Sequence, residues 1–284
     1  VKSSLLTKQD SKVLSTVALY IINPCVIINA FQVQYSQDVK NGIILSFLAA
    51  IIVHIIYIVG ARMLGKVYTL NGVEKATIIY TNAGNLIIPL VQALLGKEWV
   101  VYTTGYILVS TVFIWTHGRM LICEETGFNV KELLKNVNVI ASIIGILMFA
   151  LKIQLPSLIT ETMDSMSATI APISMIVAGM LIAGMDVKDC LKNQRLYIIT
   201  FLKMIVFPCF ALILLKFTNL SSMAKNGDMI LLISLLASVA PTAASVTQIA
   251  QIYDADSEYA SAYYFITTLL CILTMPFFVW IYQY

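Results

Sequence analysis

Nine runs of predominantly apolar residues, at about 13–32, 41–62, 73–95, 99–121, 136–152, 158–183, 195–216, 228–251 and 258–282, follow one another with only short connections. Each has roughly the 17 to 25 residues that a helix needs to cross a hydrocarbon core. Backbone N–H and C=O groups in lipid must find partners within the protein, so runs of this length fold as helices. Composition agrees, with 59% of the 284 residues hydrophobic and 12% charged, where a soluble domain carries about a quarter charged residues. The fold class is therefore all-α and polytopic, with the lipid bilayer as its surroundings and no soluble domain between the spans.

Two of these runs carry residues that a continuous lipid-facing helix avoids. Thr77 to Gln92 reads TIIYTNAGNLIIPLVQ and holds Asn82, Gly84, Asn85 and Pro89. Ser238 to Gln251 reads SVAPTAASVTQIAQ and holds Pro241, Thr242, Ser245, Thr247 and Gln248. Proline lacks a backbone donor and clashes with the carbonyl one turn earlier, and backbone freed in this way is tolerated at membrane depth only where it is buried or lines a cavity. We read both as broken helices facing a site, the first one broken at its proline. Paired interruptions in corresponding positions of two halves point to the binding site of a secondary transporter. A kinked but closed helix fits either run taken alone.

The placement of charge sets an orientation. Lys2, Lys8, Lys12, Arg62, Lys66, Lys75, Arg119, Lys131, Lys135, Lys188, Lys192 and Arg195 fall on one side of the spans, and Lys40, Lys97, Lys152, Lys216 and Lys225 on the other, a ratio of twelve to five. The positive-inside rule makes the first side cytoplasmic, which puts Tyr284 outside. Pro89 and Pro241 lie 152 residues and five spans apart, and Pro24 and Pro172 lie 148 residues and five spans apart. An odd offset inverts topology, so the chain reads as an inverted repeat of five transmembrane helices. The first repeat covers 1–123 and lacks its first helix, 124–135 (EETGFNVKELLK from Glu124) is an amphipathic cytoplasmic linker, and 136–284 is the second repeat. In this register the mate of the fifth span precedes residue 1, which predicts ten spans in the complete protein.

TNAGNLIIPLVQALLG resembles the N-x-G-x-x-G-x-P-L segment of the auxin efflux carrier family, which includes the plant PIN-FORMED carriers and bacterial permeases. KSSLLTKQDSKVLSTVALYIINPCVIINAF, APISMIVAGMLIAGMDV and SVAPTAASVTQIAQIYDADSEYASAYYFITTLLCILTMPF resemble, in order, that family's second, seventh, and ninth to tenth helices. The resemblance implies two crossing broken helices in a bile acid:sodium symporter-like and NhaA-like fold, and a small organic anion as substrate. It also implies alternating access, with one bundle moving against a scaffold in the cell membrane. Proton coupling and a homodimer stay open. Ile87 stands where the family motif has its second glycine, and Ser245 where an Asn often follows the second crossover proline, so substrate identity does not carry over.

Where two half-helices end at one point, their amino-terminal ends offer free amides and partial positive charge to a carboxylate. The candidate substrate-binding residues are Asn82, Asn85, Pro89, Pro241, Thr242, Ser245 and Gln248. Capping of broken backbone by the two asparagines, and interhelical hydrogen bonding by Thr242, Ser245, Thr247 and Gln248, are the alternative uses. Lys203, in RLYIITFLKMIVFPCF, lies about 12 Å inside its span at 1.5 Å per residue and is the candidate coupling charge. It either faces the bundle interior or snorkels to the interface. His54 and His117 are single and suit helix packing, and Trp99, Tyr102, Trp280 and Tyr282 suit interfacial anchoring. No nucleophile and base motif, metal pair or phosphate loop appears, so neither an enzyme, a cofactor nor a metal is expected. A nucleic-acid partner is not expected either. A channel and a transporter-like sensor are the competing classes.

Overall fold

The computed structural model of the protein describes residues 7, 10–34, 36–124, 135, 137–183 and 192–283. The linker at 125–134 and the basic residues Lys2, Lys8, Lys131 and Lys188 lie outside the described residues. The described residues form helices α1 (Asp10–Asn29), α2 (Gln37–Tyr68), α3 (Gly72–Ile79), α4 (Ala83–Leu94), α5 (Glu98–Ile122) and α6 (Val137–Ala150). They continue with α7 (Ser157–Ala168), α8 (Ile170–Ala183), α9 (Gln194–Phe217), α10 (Gly227–Val239), α11 (Ala244–Ile252) and α12 (Ser257–Gln283).

Helices α1, α2, α5, α9 and α12 are long and apolar enough to cross a membrane. Helix α6 is apolar and covers 14 described residues, with residue 136 just before it outside the described residues. The remaining three apolar runs are each divided into two helices: α3 and α4, α7 and α8, α10 and α11. The first and third divisions were expected. The second, at Thr169, was not, since 158–183 reads as one span.

Prolines account for much of this geometry, in three different ways. Pro172 is in the first turn of α8, where no intrahelical donor is needed, but its ring would meet the carbonyl of Ala168 if the helix ran through, and α7 ends at Ala168. Pro24 and Pro208 each follow a π-helical turn, Ala18–Ile22 and Leu202–Val206, which widens the helix just where a proline crowds the preceding turn. Pro276 and Pro89 lie inside α12 and α4. The expectation that Pro89 breaks the first run is therefore corrected: that interruption comes at Tyr80–Asn82, ahead of the proline.

Helix α1 packs against α6, α7 and α8, whereas α2 to α5 pack with α9 to α12 around the main apolar core. The smaller body has its own apolar contacts, Ala18 and Ile22 of α1 with Ile170 of α8. The bodies meet where α1 and α8 touch α11, α8 touches α12, and α6 touches α5. At one end the basic residues gather: Lys12 pairs with Asp254 at 2.9 Å, and Arg119 lies 4.9 Å from the centre of the Tyr253 ring. At this end Gln251 Nε2 also donates to Ser11 Oγ at 2.5 Å, and the Tyr20 and Tyr253 hydroxyls are 3.4 Å apart, so several polar contacts tie α1 to the turn after α11. At the opposite end the bodies part around a cleft of about 590 Å³, walled by Val26 and Asn29 of α1, Ile88 of α4, Thr104 of α5 and Asp164 of α7. A reporter inserted at Cys190 is expected in the cytoplasm and one fused after Tyr284 outside. Finding both on one side would overturn the charge-based orientation.

Candidate functional site

The two interrupted helices meet at their interruptions. Pro241 restricts the residue before it to extended backbone, and Ala240 has φ −53° and ψ 151°, so α10 stops there. Tyr80, at φ −95° and ψ 129°, is extended without a neighbouring proline. What holds it open is the other break: Asn82 N–H donates to the Pro241 carbonyl at 2.8 Å, and Ala243 N–H donates to the Tyr80 carbonyl at 3.0 Å. Thr81 and Thr242 thus form an isolated antiparallel bridge. Thr242 N–H donates to Thr267 Oγ1 of α12 at 3.1 Å. Backbone groups that the broken helices cannot satisfy internally are satisfied across the crossing.

Lys203 sits behind this crossing. It is fully buried, on the π-helical turn of α9, and its Nζ donates to the carbonyl of Ile78 at 3.2 Å and lies 5.9 Å from the centre of the Tyr57 ring. Ile78 is in the last turn of α3, where carbonyls lack helical donors and the helix dipole favours a cation. The lysine points inward, so it does not snorkel. Close by, His54 is buried with Nδ1 2.8 Å from the Ala50 carbonyl and its ring stacked on Phe113, and Tyr80 Oη reaches His117 Nδ1 at 2.8 Å. Both histidines act in packing.

In front of the crossing is a cavity of about 60 Å³ between the two bodies. One wall is Asn82, Ala83 and Gly84 at the start of α4 with Ala243, Ser245 and Gln248 at the start of α11. Neither helix start is capped by a side chain, so the first N–H groups have no intrahelical acceptor. A Cβ placed at Gly84 would meet nothing within 4 Å, which leaves the backbone there open to the cavity. The other wall is Leu19, Asn23 and Val26 of α1 with Ile170 and Ser174 of α8. Trp115 of α5 also lines the cavity, and its buried indole N–H has no partner among the described residues. Gln248 Nε2 donates across to Ser174 Oγ at 3.2 Å.

Of the residues singled out from sequence, Asn82, Ser245 and Gln248 therefore face one cavity. Pro241 and Thr242 form the strand behind it. Asn85 and Pro89 belong to α4 by their backbone, and their side chains lie outside the described residues. Sequence reasoning missed Asn23 and Ser174, although each is within two residues of Pro24 or Pro172, the second proline pair. It also missed a buried ion pair at the basic end, where Glu74, wholly buried, accepts from both Nε and Nη2 of Arg195.

The sequence profile of the family described as membrane transport protein matches this chain over residues 1–131 and 125–279. The chain belongs to the auxin efflux carrier family. An uncharacterized transporter of Methanocaldococcus jannaschii is 23% identical to this family member over 98% of the chain and 91% of its own length. Both matches carry the names of transporters and neither that of an enzyme. This auxin efflux carrier family member is thus a multi-pass membrane transport protein.

Proposed function

We propose that this protein is a secondary transporter of the cell membrane that moves a small organic anion by alternating access. The observation that carries the reading is that the uncapped amino-terminal ends of α4 and α11 open on the same cavity, with α1 and α8 forming its other wall. Each such end favours an anion by about 0.3–2 kcal/mol, and the free amides add charge-assisted hydrogen bonds. Asn82, Ser245 and Gln248 orient the ligand, Asn85 adds to them from α4, and Pro241 and Thr242 fix the crossing that places them. Pro89, without an N–H, leaves the carbonyl of Asn85 short of its helical donor and so lets α4 yield there.

Lys203 is the coupling charge in this reading. Its ammonium on the Ile78 carbonyl joins the end of α3 to α9, so its protonation state biases the crossing. The cleft forms the outer half of the path. Glu98 and Asp164 line it, where water screens their charge from a passing anion. The polar contacts that Ser11, Lys12 and Tyr20 of α1 make with Gln251, Asp254 and Tyr253 close the inner half. The chain is then an inverted repeat, 1–123 and 136–284, whose broken helices are the paired third and eighth spans.

The test is a thermal-shift screen of purified full-length protein against small carboxylates, followed by uptake into proteoliposomes. A ligand that binds only the folded state at a hundred times its Kd stabilises it by about 2.7 kcal/mol, which is a clear shift. If no carboxylate shifts melting or enters vesicles, the anion reading fails.

A further inference from the structure

The cavity has two chemically different walls, and the second one selects. Asn138 of α6 is fully buried, and its Nδ2 donates to the main-chain carbonyl of Leu19 at 2.9 Å. A carbonyl only accepts, so this bond fixes which way the Asn138 amide points. Its Oδ1 then accepts from Asn23 Nδ2, at 2.9 Å. Asn23 is held in turn with its nitrogen toward α6, which leaves Oδ1 free of any protein partner among the described residues, on a residue that lines the cavity. The orientation is imposed by two bonds from a helix that does not itself reach the cavity. Facing Asn23, the first main-chain N–H groups of α4 and α11 are donors.

We infer that Asn23 is a specificity-determining residue, and that the preferred substrate is a small carboxylate carrying a hydrogen-bond donor, such as a hydroxyl, on its carbon chain. The carboxylate lies on the two helix ends and the donor meets Asn23 Oδ1. A plain alkanoate would leave that oxygen facing an apolar group, which costs the hydrogen bond it would otherwise accept from water. A site built to pair with a substrate hydroxyl rejects analogues lacking it far better than a greasy pocket rejects an extra methylene. Leu19, Val26 and Ile170 around Asn23 supply the apolar surroundings that sharpen the difference, and so small a cavity favours the smallest members of the class.

This inference rests on the anion reading, and matched pairs separate the two. Binding of glycolate against acetate and of lactate against propionate is measured on the full chain in detergent by thermal shift and by uptake into proteoliposomes. The native protein is expected to favour the hydroxylated member of each pair about tenfold. Asn23→Leu, nearly isosteric, is expected to bring the ratio within about twofold, by weakening the hydroxylated acids and easing the penalty on acetate and propionate. Asn23→Ser, which keeps a small polar group and perturbs packing differently, is expected to retain part of the preference. Failure of all four acids to bind overturns the anion reading and this inference with it. Binding of all four without preference overturns this inference alone, and a preference that survives Asn23→Leu removes Asn23 from it.

Discussion

Replacing Lys203 with Met is expected to lower transport roughly a hundredfold, equivalent to about 2.7 kcal/mol, while folded, inserted protein accumulates at the native level or above. The two halves of this expectation have different causes. Methionine fills a similar volume without a charge, and exchanging a buried ion for an apolar group of like size is commonly neutral or stabilising because the cost of desolvation disappears. Against that stands the loss of one hydrogen bond to Ile78, about 1 kcal/mol, so stability changes little. Transport is another matter, since the ammonium is the charge that sits on the carboxyl-terminal end of α3, directly behind the crossing. Uptake into proteoliposomes and melting of the same preparation are the measurements. Unchanged uptake by Lys203→Met at every pH tested would show that the lysine only fills space.

Arg195→Met is expected to act in the opposite sense, on stability first. Arg195 grips Glu74 with two nitrogens, and its Nη2 also donates to the carbonyls of Thr69 at 2.6 Å and Tyr68 at 3.2 Å. Glu74 Oε2 accepts from Asn71 N–H at 2.8 Å, while Asn71 Oδ1 accepts from Glu74 N–H, a capping box at the start of α3. One guanidinium thus joins the last turn of α2, the first turn of α3 and the first turn of α9. Removing it leaves the carboxylate of Glu74 buried and half paired, a loss of about 3 kcal/mol, or roughly 6–12 °C in apparent melting temperature for a chain of this size. The exposed flank of Arg195 lets water replace part of its role, so the lower half of that range is expected. Glu74→Gln combined with Arg195→Met should recover part of the loss, because no orphan charge remains. A variant that melts with the native protein would mean that the pair carries nothing.

The helices were legible because lipid leaves the backbone so few options, and length with apolarity alone located the five long ones, α1, α2, α5, α9 and α12. The crossing was legible in part. Pro241 acts through its own backbone and the residue before it, so its effect can be read locally. Tyr80 is extended because Ala243 takes its carbonyl from more than a hundred residues away, and no local pattern announces that. Pro89 drew attention to the right run but lies in α4, past the interruption. Pro172 is legible as half of a pair, yet its clash with the turn before it, which ends α7, leaves no mark on the hydropathy of 158–183. Lys203 could be singled out as a cation at depth, but its acceptor on α3 is a tertiary fact. Asn23 was the least legible: an asparagine next to a proline is common, and its orientation depends on Asn138, which belongs to another helix altogether.

The Thr81–Thr242 bridge bears on how the chain is made. Helices normally complete their own hydrogen bonds and can enter the bilayer one after another as synthesis proceeds. At Tyr80 and Asn82 the partners are Ala243 and Pro241, which the ribosome delivers more than 150 residues later. Until then the first interruption must keep its polar backbone groups in water, at a lipid headgroup, or in temporary non-native pairing, because leaving them bare in hydrocarbon costs several kcal/mol each. The first half is therefore not an autonomous unit of biogenesis. Final docking of α3 and α4 waits for α10 and α11, whose extended residues complete the pairing.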